Sequence, residues 1–318
     1  MPRFFMHVAR ASALWGAGVA AAQQSLYSNS GGAVTNPGLA TGTVASGGQP
    51  AAPSTMWSEL QRDGTGAANA TGGFACHAVG ASGYRLADDF VVPQGAGWTL
   101  SGVSVYAYQG GAAQSPFTSA TLRVWSGRPG DAGSVVVWGD TTTDRLAGAG
   151  PTNLYRVFNT VASPTPPAPD QSRAIWKVDL TVAVQLAPGT YWLDWQLVSG
   201  NAGTEAFSPA VTVAGLRAKP GANARQLRPS GVWGDVVDPG KPLSSADVVQ
   251  DLPFVLRGSG APAPCPSDVD GNGFVNGEDV DLFADWFAAG IVLADFDQNG
   301  FVNGDDYDFF IAAFEAGC

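Results

Sequence analysis

Residues 175–197 run IWKVDLTVAVQLAPGTYWLDWQL and decide the fold class of the chain. An apolar residue stands at every second position from Trp176 to Leu186, and polar or small residues fill most of the positions between them. This period of two is typical of a strand with one face on a core and the other in water. The alternation resumes at Tyr191 after the turn residues Ala187-Pro188-Gly189-Thr190. The stretch therefore predicts two antiparallel strands of one hairpin.

Similar short runs flank this stretch and are separated by turns that contain Gly or Pro. They are LADDFVV, WTLSGVSVYAY, ATLRVW, SVVVWGD and, at 253–258, PFVLRG. Residues 23–82 lack such periodicity and predict loops with one or two edge strands, and the proline-rich segment 162–170 predicts a surface loop. Many short strands at this spacing predict a mainly β fold over residues 23–258, an antiparallel β-sandwich or jelly roll.

Composition and length agree with a β domain that carries a small appendage. The 318 residues include 42 Gly and 22 Pro, and only 14% are charged, which favours short strands and tight turns over helices. A single core usually stops growing near about 250–300 residues, so two unequal units are expected. Residues 259–264, SGAPAP, have the composition of a semi-rigid linker between them.

The net charge of −11 comes almost entirely from the last part of the chain. Residues 265–318 contain twelve Asp or Glu and no Lys or Arg, whereas the acidic and basic residues before them are nearly balanced. So many like charges in one short segment require cations to neutralise them. The absence of a basic stripe argues against nucleic-acid binding.

The acidic segment contains an internal repeat. DVDGNGFVNGEDVDLF begins at Asp268, and DFDQNGFVNGDDYDFF begins 27 residues later at Asp295. Each copy has Asp at loop positions 1, 3 and 12, Asn at 5 and 9, and Gly at 6. Ca²⁺ takes six to eight oxygen ligands, and a twelve-residue loop of this pattern supplies them from alternate positions. Gly273 and Gly300 stand where such a loop turns sharply.

The repeat therefore predicts two calcium sites. Mg²⁺ fits the pattern less well because it prefers a compact octahedron with retained waters, and Zn²⁺ favours His or Cys ligands. Asn-rich turns without metal are the alternative interpretation. The predicted ligands are Asp268, Asp270, Asn272, the carbonyl of Phe274, Asn276 directly or through a water, and Asp279 in the first loop, and Asp295, Asp297, Asn299, the carbonyl of Phe301, Asn303 and Asp306 in the second.

Each loop leads into a predicted helix, at 278–287 and 305–314. Apolar residues recur there at spacings of three and four and give each helix one apolar face. Asp279 and Asp306 stand near the helix starts, where negative charge suits the helix dipole.

Residues 265–318 resemble a type I dockerin, in which duplicated calcium loops are each followed by one helix. The resemblance implies an attachment module with two Ca²⁺ ions and a cohesin-like or cell-surface protein as its partner. The cysteine-flanked form ending in Gly317-Cys318 is similar to anchors of exported bacterial proteins. In cellulosomal dockerins, hydroxyl residues at loop positions 10 and 11 recognise the partner. Here the corresponding partner-binding positions are Gly277, Glu278, Gly304 and Asp305, and the near-identity of the copies allows binding in either of two orientations.

Three cysteines and the first residues bear on the cellular compartment. Cys265 and Cys318 bracket the acidic segment, and in an oxidising compartment a disulfide between them can hold its ends together. Cys76 is either a buried free thiol or a partner for another chain. Residues 1–22 have basic residues, an uncharged run and a small-residue site before Gln23, as in a signal peptide, although a frayed terminus is the alternative. A secreted or cell-surface protein without a membrane span in its mature part is expected.

Catalytic residues are not marked by any pattern in residues 23–258. Cys76 and His77 are adjacent, and adjacent residues in a strand point to opposite faces, so local loop structure is a better interpretation of this pair than a catalytic dyad. Two carboxylates for glycoside hydrolysis could come from scattered acidic residues, but nothing marks a pair. These acidic residues are Asp88, Asp89, Asp179, Asp194 and Glu205.

Ten tryptophans offer ring surfaces for a sugar. Trp176 and Trp195 fit the buried face of their strands, and core packing is also the better interpretation for each of the others. The sequence favours a non-catalytic β domain, structural or carbohydrate-binding, with a polysaccharide-degrading O-glycosyl hydrolase as the alternative. The tryptophans considered for a sugar site are Trp98, Trp125, Trp138, Trp192 and Trp233.

Overall fold

A computed structural model of the chain describes residues 24–30, 38–79, 82–158, 171–200, 205–213, 215–260, 266–269, 275–296 and 301–316. The predicted signal peptide, the proline-rich segment 162–170 and most of the linker lie outside these residues. The described residues are mainly β, followed by a small pair of helices, which confirms the expected class at that level.

The strands lie in the first four-fifths of the chain and the helices in the last fifth. The strands are β1 (Gln24–Ser28), β2 (Met56–Glu59), β3 (Phe74–Ala75), β4 (Ala78–Val79), β5 (Ser82–Gly83), β6 (Arg85–Val92), β7 (Trp98–Tyr108), β8 (Phe117–Ser126), β9 (Val135–Gly139), β10 (Leu146–Val157), β11 (Ala174–Leu186), β12 (Gly189–Ser199), β13 (Phe207–Ser208), β14 (Arg225–Leu227), β15 (Trp233–Asp235), β16 (Val237–Asp238), β17 (Val248–Val249) and β18 (Phe254–Ser259). The helices are α1 (Gly277–Ala289) and α2 (Gly304–Ala316), with a short 3₁₀ turn at Val292–Ala294 between them.

Two sheets share one core. The larger has eight strands and follows the order β1-β18-β7-β11-β10-β2, with β13 and β3 attached beside β7. The smaller has six strands in the order β15-β14-β6-β12-β8-β9. Apolar side chains from both sheets form a single buried cluster, because alternate residues of each strand point inward. The sheets are curled, as in a half-barrel.

All five strand runs that flank the opening stretch are confirmed, as β6, β7, β8, β9 and β18. The sequence missed β10, which carries Gly148, Gly150 and Pro151 and therefore shows no apolar alternation. One pair also departs from the antiparallel expectation, because β10 pairs with β2 in parallel. Residues 23–82 contain more strands than the one or two edge strands predicted. β1 and β2 do lie at the ends of the main path of the larger sheet, but the short strands β3 and β4 also lie in this segment, and β5 begins there.

The predicted hairpin at 175–197 is wrong. β11 pairs with β7 and β10 in the larger sheet, whereas β12 pairs with β6 and β8 in the smaller one. Ala187 and Pro188 therefore carry the chain from one sheet across to the other. Both strands keep their predicted apolar faces on the shared core, with Leu180 and Trp195 at most 1% exposed. Periodicity fixes which face is buried, but it does not distinguish strands that lie side by side from strands that face each other.

The two helices predicted at 278–287 and 305–314 are confirmed, and each is slightly longer than predicted. Phe283 of α1 and Phe310 of α2 are buried in a separate small core, which confirms the expected apolar faces. Neither α-helix of the described residues is long and apolar enough to cross a membrane.

Phe254 lies at the centre of the β core and provides the test of its packing. Its fully buried ring is within 6.3 Å of the rings of Tyr27, Phe90 and Trp195, measured between centroids. We expect Phe254→Ala to lower the free energy of unfolding by about 3–5 kcal/mol, because it leaves a cavity among these rings. Leu243→Ala is the control, since Leu243 is 94% exposed, and should change it by less than about 0.5 kcal/mol. Urea denaturation followed by tryptophan fluorescence measures both, and equal effects would contradict the packing described.

Candidate functional site

The structure describes part of each predicted calcium loop. Among the predicted ligands, Asp268, Asn276 and Asp279 of the first loop and Asp295, Phe301, Asn303 and Asp306 of the second are described. The rest, Asp270, Asn272, Phe274, Asp297 and Asn299, lie outside the described residues. Within the part that is described, no three His, Cys, Asp or Glu side chains form a metal-binding group. The full ligand set therefore stays a prediction.

The ends of both loops have the same hydrogen-bond geometry. Asn276 caps α1: its Oδ1 accepts a hydrogen bond from Glu278 N at 2.7 Å, and its own backbone N donates to Asp279 Oδ2 at 2.9 Å. In the second copy, Asn303 Oδ1 accepts from Asp305 N at 2.7 Å and Asn303 N donates to Asp306 Oδ2 at 2.8 Å. This reciprocal capping fixes loop positions 9 and 12 relative to each other in both copies.

The two aspartates at loop position 12 are fully buried. Asp279 and Asp306 both have 0% exposure, and Asp306 Oδ1 also accepts a hydrogen bond from Phe296 N at 2.7 Å. An ionised carboxylate is costly to bury unless it is paired or coordinates a metal. Residues 265–318 contain no Lys, Arg or His, so a metal ion is one source of positive charge for these carboxylates.

Equivalent residues of the two copies meet in the small core. The rings of Phe283 and Phe310, which are 27 residues apart, stack with centroids 4.0 Å apart and planes at 8°. Phe296 meets both rings edge-on, at 5.2 Å and 5.4 Å. The hydroxyl of Ser267 donates to the carbonyl of Ala313 at 3.2 Å and ties the start of the module to the end of α2. The pairing of equivalent rings gives the two loop–helix units a locally symmetric packing.

The predicted partner-binding residues lie on the surface. Gly277 and Glu278 begin α1, Gly304 and Asp305 begin α2, and all four are exposed. Cys265 and Cys318, the predicted disulfide pair, lie outside the described residues. The predicted contacts and the disulfide therefore stay predictions.

Cys76 and His77 are both buried in the β domain. Cys76 is a buried free thiol, as the first of its two interpretations held, and burial raises the pKa of its thiol well above the ordinary value. Its Sγ lies 3.6 Å from the carbonyl of Ala206. His77 is 7% exposed and its Nδ1 lies 3.2 Å from that same carbonyl. Both side chains therefore approach one carbonyl and do not point to opposite faces as expected for a strand, because β3 ends at Ala75 and β4 begins at Ala78. A protonated buried thiol is a poor nucleophile.

The acidic residues considered for hydrolysis have separate roles. Asp179 accepts hydrogen bonds from Ser104 and Arg257, at 2.5 Å and 2.8 Å. Asp194 is held by Arg85 and Arg123, and Glu205 is exposed. Asp88 and Asp89 are neighbours in β6, but Asp88 points into the core and Asp89 is half-buried. The structure therefore does not bring these residues together as a catalytic pair.

The tryptophans considered for a sugar site divide into two groups. Trp98 and Trp192 are buried, like Trp176 and Trp195. The other three, Trp125, Trp138 and Trp233, are half-buried. Arg123 covers the ring of Trp125 at 4.8 Å, Arg145 covers that of Trp138 at 4.7 Å, and Trp233 meets Trp125 edge-on. Arginine side chains thus cover one face of Trp125 and one face of Trp138, which the sequence had offered as surfaces for a sugar.

The sequence did not indicate the arginines around Asp194. Arg85 belongs to β6, Arg123 to β8 and Asp194 to β12, and they meet because these strands are neighbours in the smaller sheet. The alternation along each strand indicates that these polar residues share the outer face of a sheet. It does not identify which strands are neighbours, and so it could not bring the three residues together.

Comparison of the chain with protein-family models, curated proteins and solved structures gave no match.

A buried cluster beside β6 gives a prediction on pH. Asp88 is fully buried and accepts hydrogen bonds from Asn29 Nδ2 at 2.6 Å and from Leu252 N at 2.7 Å. Burial, and then the nearby charge of Asp251, raises the pKa of Asp88 well above its ordinary value of 3.8. Between these two pKa values the folded state keeps a proton that the unfolded state has lost. Stability due to Asp88 is therefore greatest below pH 4 and falls as the pH rises.

We expect the stability of Asp88→Asn relative to the parent protein to increase with pH above about 4, by up to about 1.4 kcal/mol per pH unit. Urea unfolding at a series of pH values from acid to neutral measures this difference. Asp247→Asn, at an exposed position, is the control for loss of a surface carboxylate and should change the free energy of unfolding by less than about 0.5 kcal/mol. A difference for Asp88→Asn that does not vary with pH would be inconsistent with a raised pKa.

Proposed function

We propose that this is an exported attachment protein whose carboxyl-terminal module binds two Ca²⁺ ions and docks on a cohesin-like or cell-surface protein, so that it displays a non-catalytic β-sandwich. The observation that supports the proposal best is the pair of fully buried aspartates, Asp279 and Asp306, at equivalent positions of a segment without basic residues. Ca²⁺ supplies the positive charge that these carboxylates require.

The donor set suits Ca²⁺ in each loop. All the predicted side-chain ligands are carboxylate or amide oxygens, which hard cations prefer. Reciprocal capping by Asn276 and Asn303 holds the last ligands of each loop at the helix start. In this proposal, Ca²⁺ neutralises the converging carboxylates, and the capped helices then pack through Phe283 and Phe310.

Attachment is the function that this arrangement supports. The exposed residues Gly277 and Glu278 of one copy and Gly304 and Asp305 of the other begin helices that pack with local symmetry. A partner could therefore meet either copy through the same contacts. The hydrogen bond between Ser267 and Ala313 brings the two ends of the module together, which is consistent with a disulfide between Cys265 and Cys318 in an exported protein.

The β domain is better explained as cargo than as a hydrolase. A glycosidase of the usual kind needs two carboxyl groups on either side of the bond that it cleaves. Asp179 and Asp194 are engaged by arginines, and Asp88 accepts hydrogen bonds within the core. A reducing-sugar assay on a polysaccharide panel tests the alternative directly, and turnover that an Asp→Asn variant abolishes would favour it.

Calcium titration of the full chain tests the proposal. Isothermal calorimetry of protein stripped with a chelator should find two ions per chain, and circular dichroism should show an increase in helix content on binding. We expect Asp279→Asn and Asp306→Asn each to weaken one site by at least about tenfold, because each removes a charged ligand.

The matched controls are Asp281→Asn and Asp308→Asn. Both residues lie exposed on the helices two positions after the predicted ligands, so these variants remove the same charge without touching a loop. They should leave both sites within about twofold of the parent. No calcium uptake by the parent protein would refute the proposal, and so would an equal loss in ligand and control variants.

A further inference from the structure

A cavity of about 380 Å³ lies on the outer face of the smaller sheet. Its size falls within the range of about 300–1,000 Å³ that is usual for small-molecule sites. Arg85 and Arg123 line it from the strands, and Arg228 lines it from the turn between β14 and β15. Gln196 of β12 and the neighbouring residues Thr141 and Thr142 complete its polar lining.

One buried carboxylate holds two of these arginines in place. Asp194, which is fully buried, accepts from Arg85 Nε through Oδ1 at 2.6 Å and from Arg123 Nε through Oδ2 at 2.7 Å. Trp125 Nε1 donates to the same Oδ2 at 2.9 Å. The side chain of Arg85 is itself only 4% exposed. The guanidinium groups are therefore oriented before any ligand arrives, which lowers the cost of binding.

Positive charge exceeds negative charge around the cavity. Asp194 neutralises only one of the two guanidinium groups that it contacts, and Arg228 adds a third. Asp140 lies near the rim, but Arg145 is 3.7 Å from it and balances its charge. Burial lowers the pKa of Arg85. The negative charge of Asp194 raises this pKa in part, and the positive charge of Arg123 lowers it further. An anion in the cavity would relieve this excess, and low local dielectric makes the attraction stronger than in water.

Hydrogen-bonding groups remain available to a ligand. Arg85 has five N–H groups, and its contacts with Asp194 and Thr121 within the described residues use three of them. Gln196 Nε2 donates to the carbonyl of Tyr84 at 3.1 Å, which leaves its Oε1 as an acceptor for a hydroxyl. The hydroxyl of Thr142 donates to Asp140 Oδ1 at 3.0 Å, so it can only accept from a ligand, whereas the hydroxyl of Thr141 can donate or accept.

The rim of the cavity is preformed by two tight turns. Arg228 N donates to the carbonyl of Val232 at 3.1 Å and closes the turn that carries Arg228. On the other side, the carboxylate of Asp140 accepts hydrogen bonds from Thr142 N at 2.8 Å and Thr143 N at 2.6 Å. Gly139 precedes this turn with φ +84° and packs against the backbone of Leu122, where a side chain would clash.

We propose that this cavity binds an acidic saccharide, with a carboxylate or sulfate group held by the arginines and hydroxyl groups held by Gln196 and the threonines. Guanidinium groups match both anions through paired hydrogen bonds, and the neutral polar groups beside them match a polyol. This site belongs to the β domain, and its ligand need not involve calcium.

Titration calorimetry of the full chain tests the site, in buffer with a chelator so that the result does not depend on the calcium loops. The probes are a galacturonate trisaccharide, a sulfated galactan oligosaccharide and a neutral galactan oligosaccharide of similar length. We expect saturable binding of the galacturonate or the sulfated probe, no binding of the neutral one, and weaker binding as sodium chloride is added. The two acidic probes distinguish a carboxylate ligand from a sulfate ligand.

Arg228→Gln is the main variant because Arg228 is exposed, so its loss should not unfold the protein. We expect it to weaken binding about tenfold or more, and Arg228→Lys to restore part of the loss. Lys241→Gln removes a positive charge from another exposed position and should change affinity by less than about twofold. The melting temperature of each variant checks the fold.

Three results would each overturn the proposal. The first is that neither acidic probe binds the parent protein. The second is that Arg228→Gln binds as tightly as the parent. The third is that sodium sulfate or sodium acetate binds as tightly as the saccharides, because the hydroxyl contacts would then contribute nothing.

Discussion

Buried carboxylates have to be neutralised, and this requirement shapes both parts of the chain. In the β domain, Asp194 is fully buried and lies against two arginines. In the carboxyl-terminal module, Asp279 and Asp306 are just as buried, but the segment has no basic residue to offer. Leaving a carboxylate unpaired in a low-dielectric interior would cost several kcal/mol. The first case leaves a surplus of positive charge beside a cavity, and for the second we propose that metal ions supply the positive charge.

The carboxyl-terminal module has a small apolar core of its own. Its apolar core consists of a few aromatic rings around the stack of Phe283 and Phe310, which is small for an independent unit. Small domains of this size usually need metals or disulfides to stay folded. Hydrogen bonds of Asn276 and Asn303 join the end of each loop to the helix that follows it, and these helices carry the stacked rings.

The sequence predicts those features that are local in the chain. The helices after each loop follow from apolar spacing, and the burial of Leu180 and Trp195 follows from a period of two. The partners of β11 and β12 do not follow, because the same period serves strands in one sheet or in two facing sheets. β10 was missed since its glycines and Pro151 erase the pattern. The arginine cavity required knowledge of which strands are neighbours, and no spacing within one strand carries that information.

The most direct test of the central claim is a crystal structure of the full chain grown with calcium and measured at a wavelength where calcium scatters anomalously. The account predicts two anomalous peaks, one in residues 268–279 and one in 295–306, each about 2.3–2.6 Å from six or more oxygens. Asp279 and Asp306 should each contribute an oxygen to one of these peaks. Ordered loops with no peak, or peaks that these aspartates do not contact, would contradict the account.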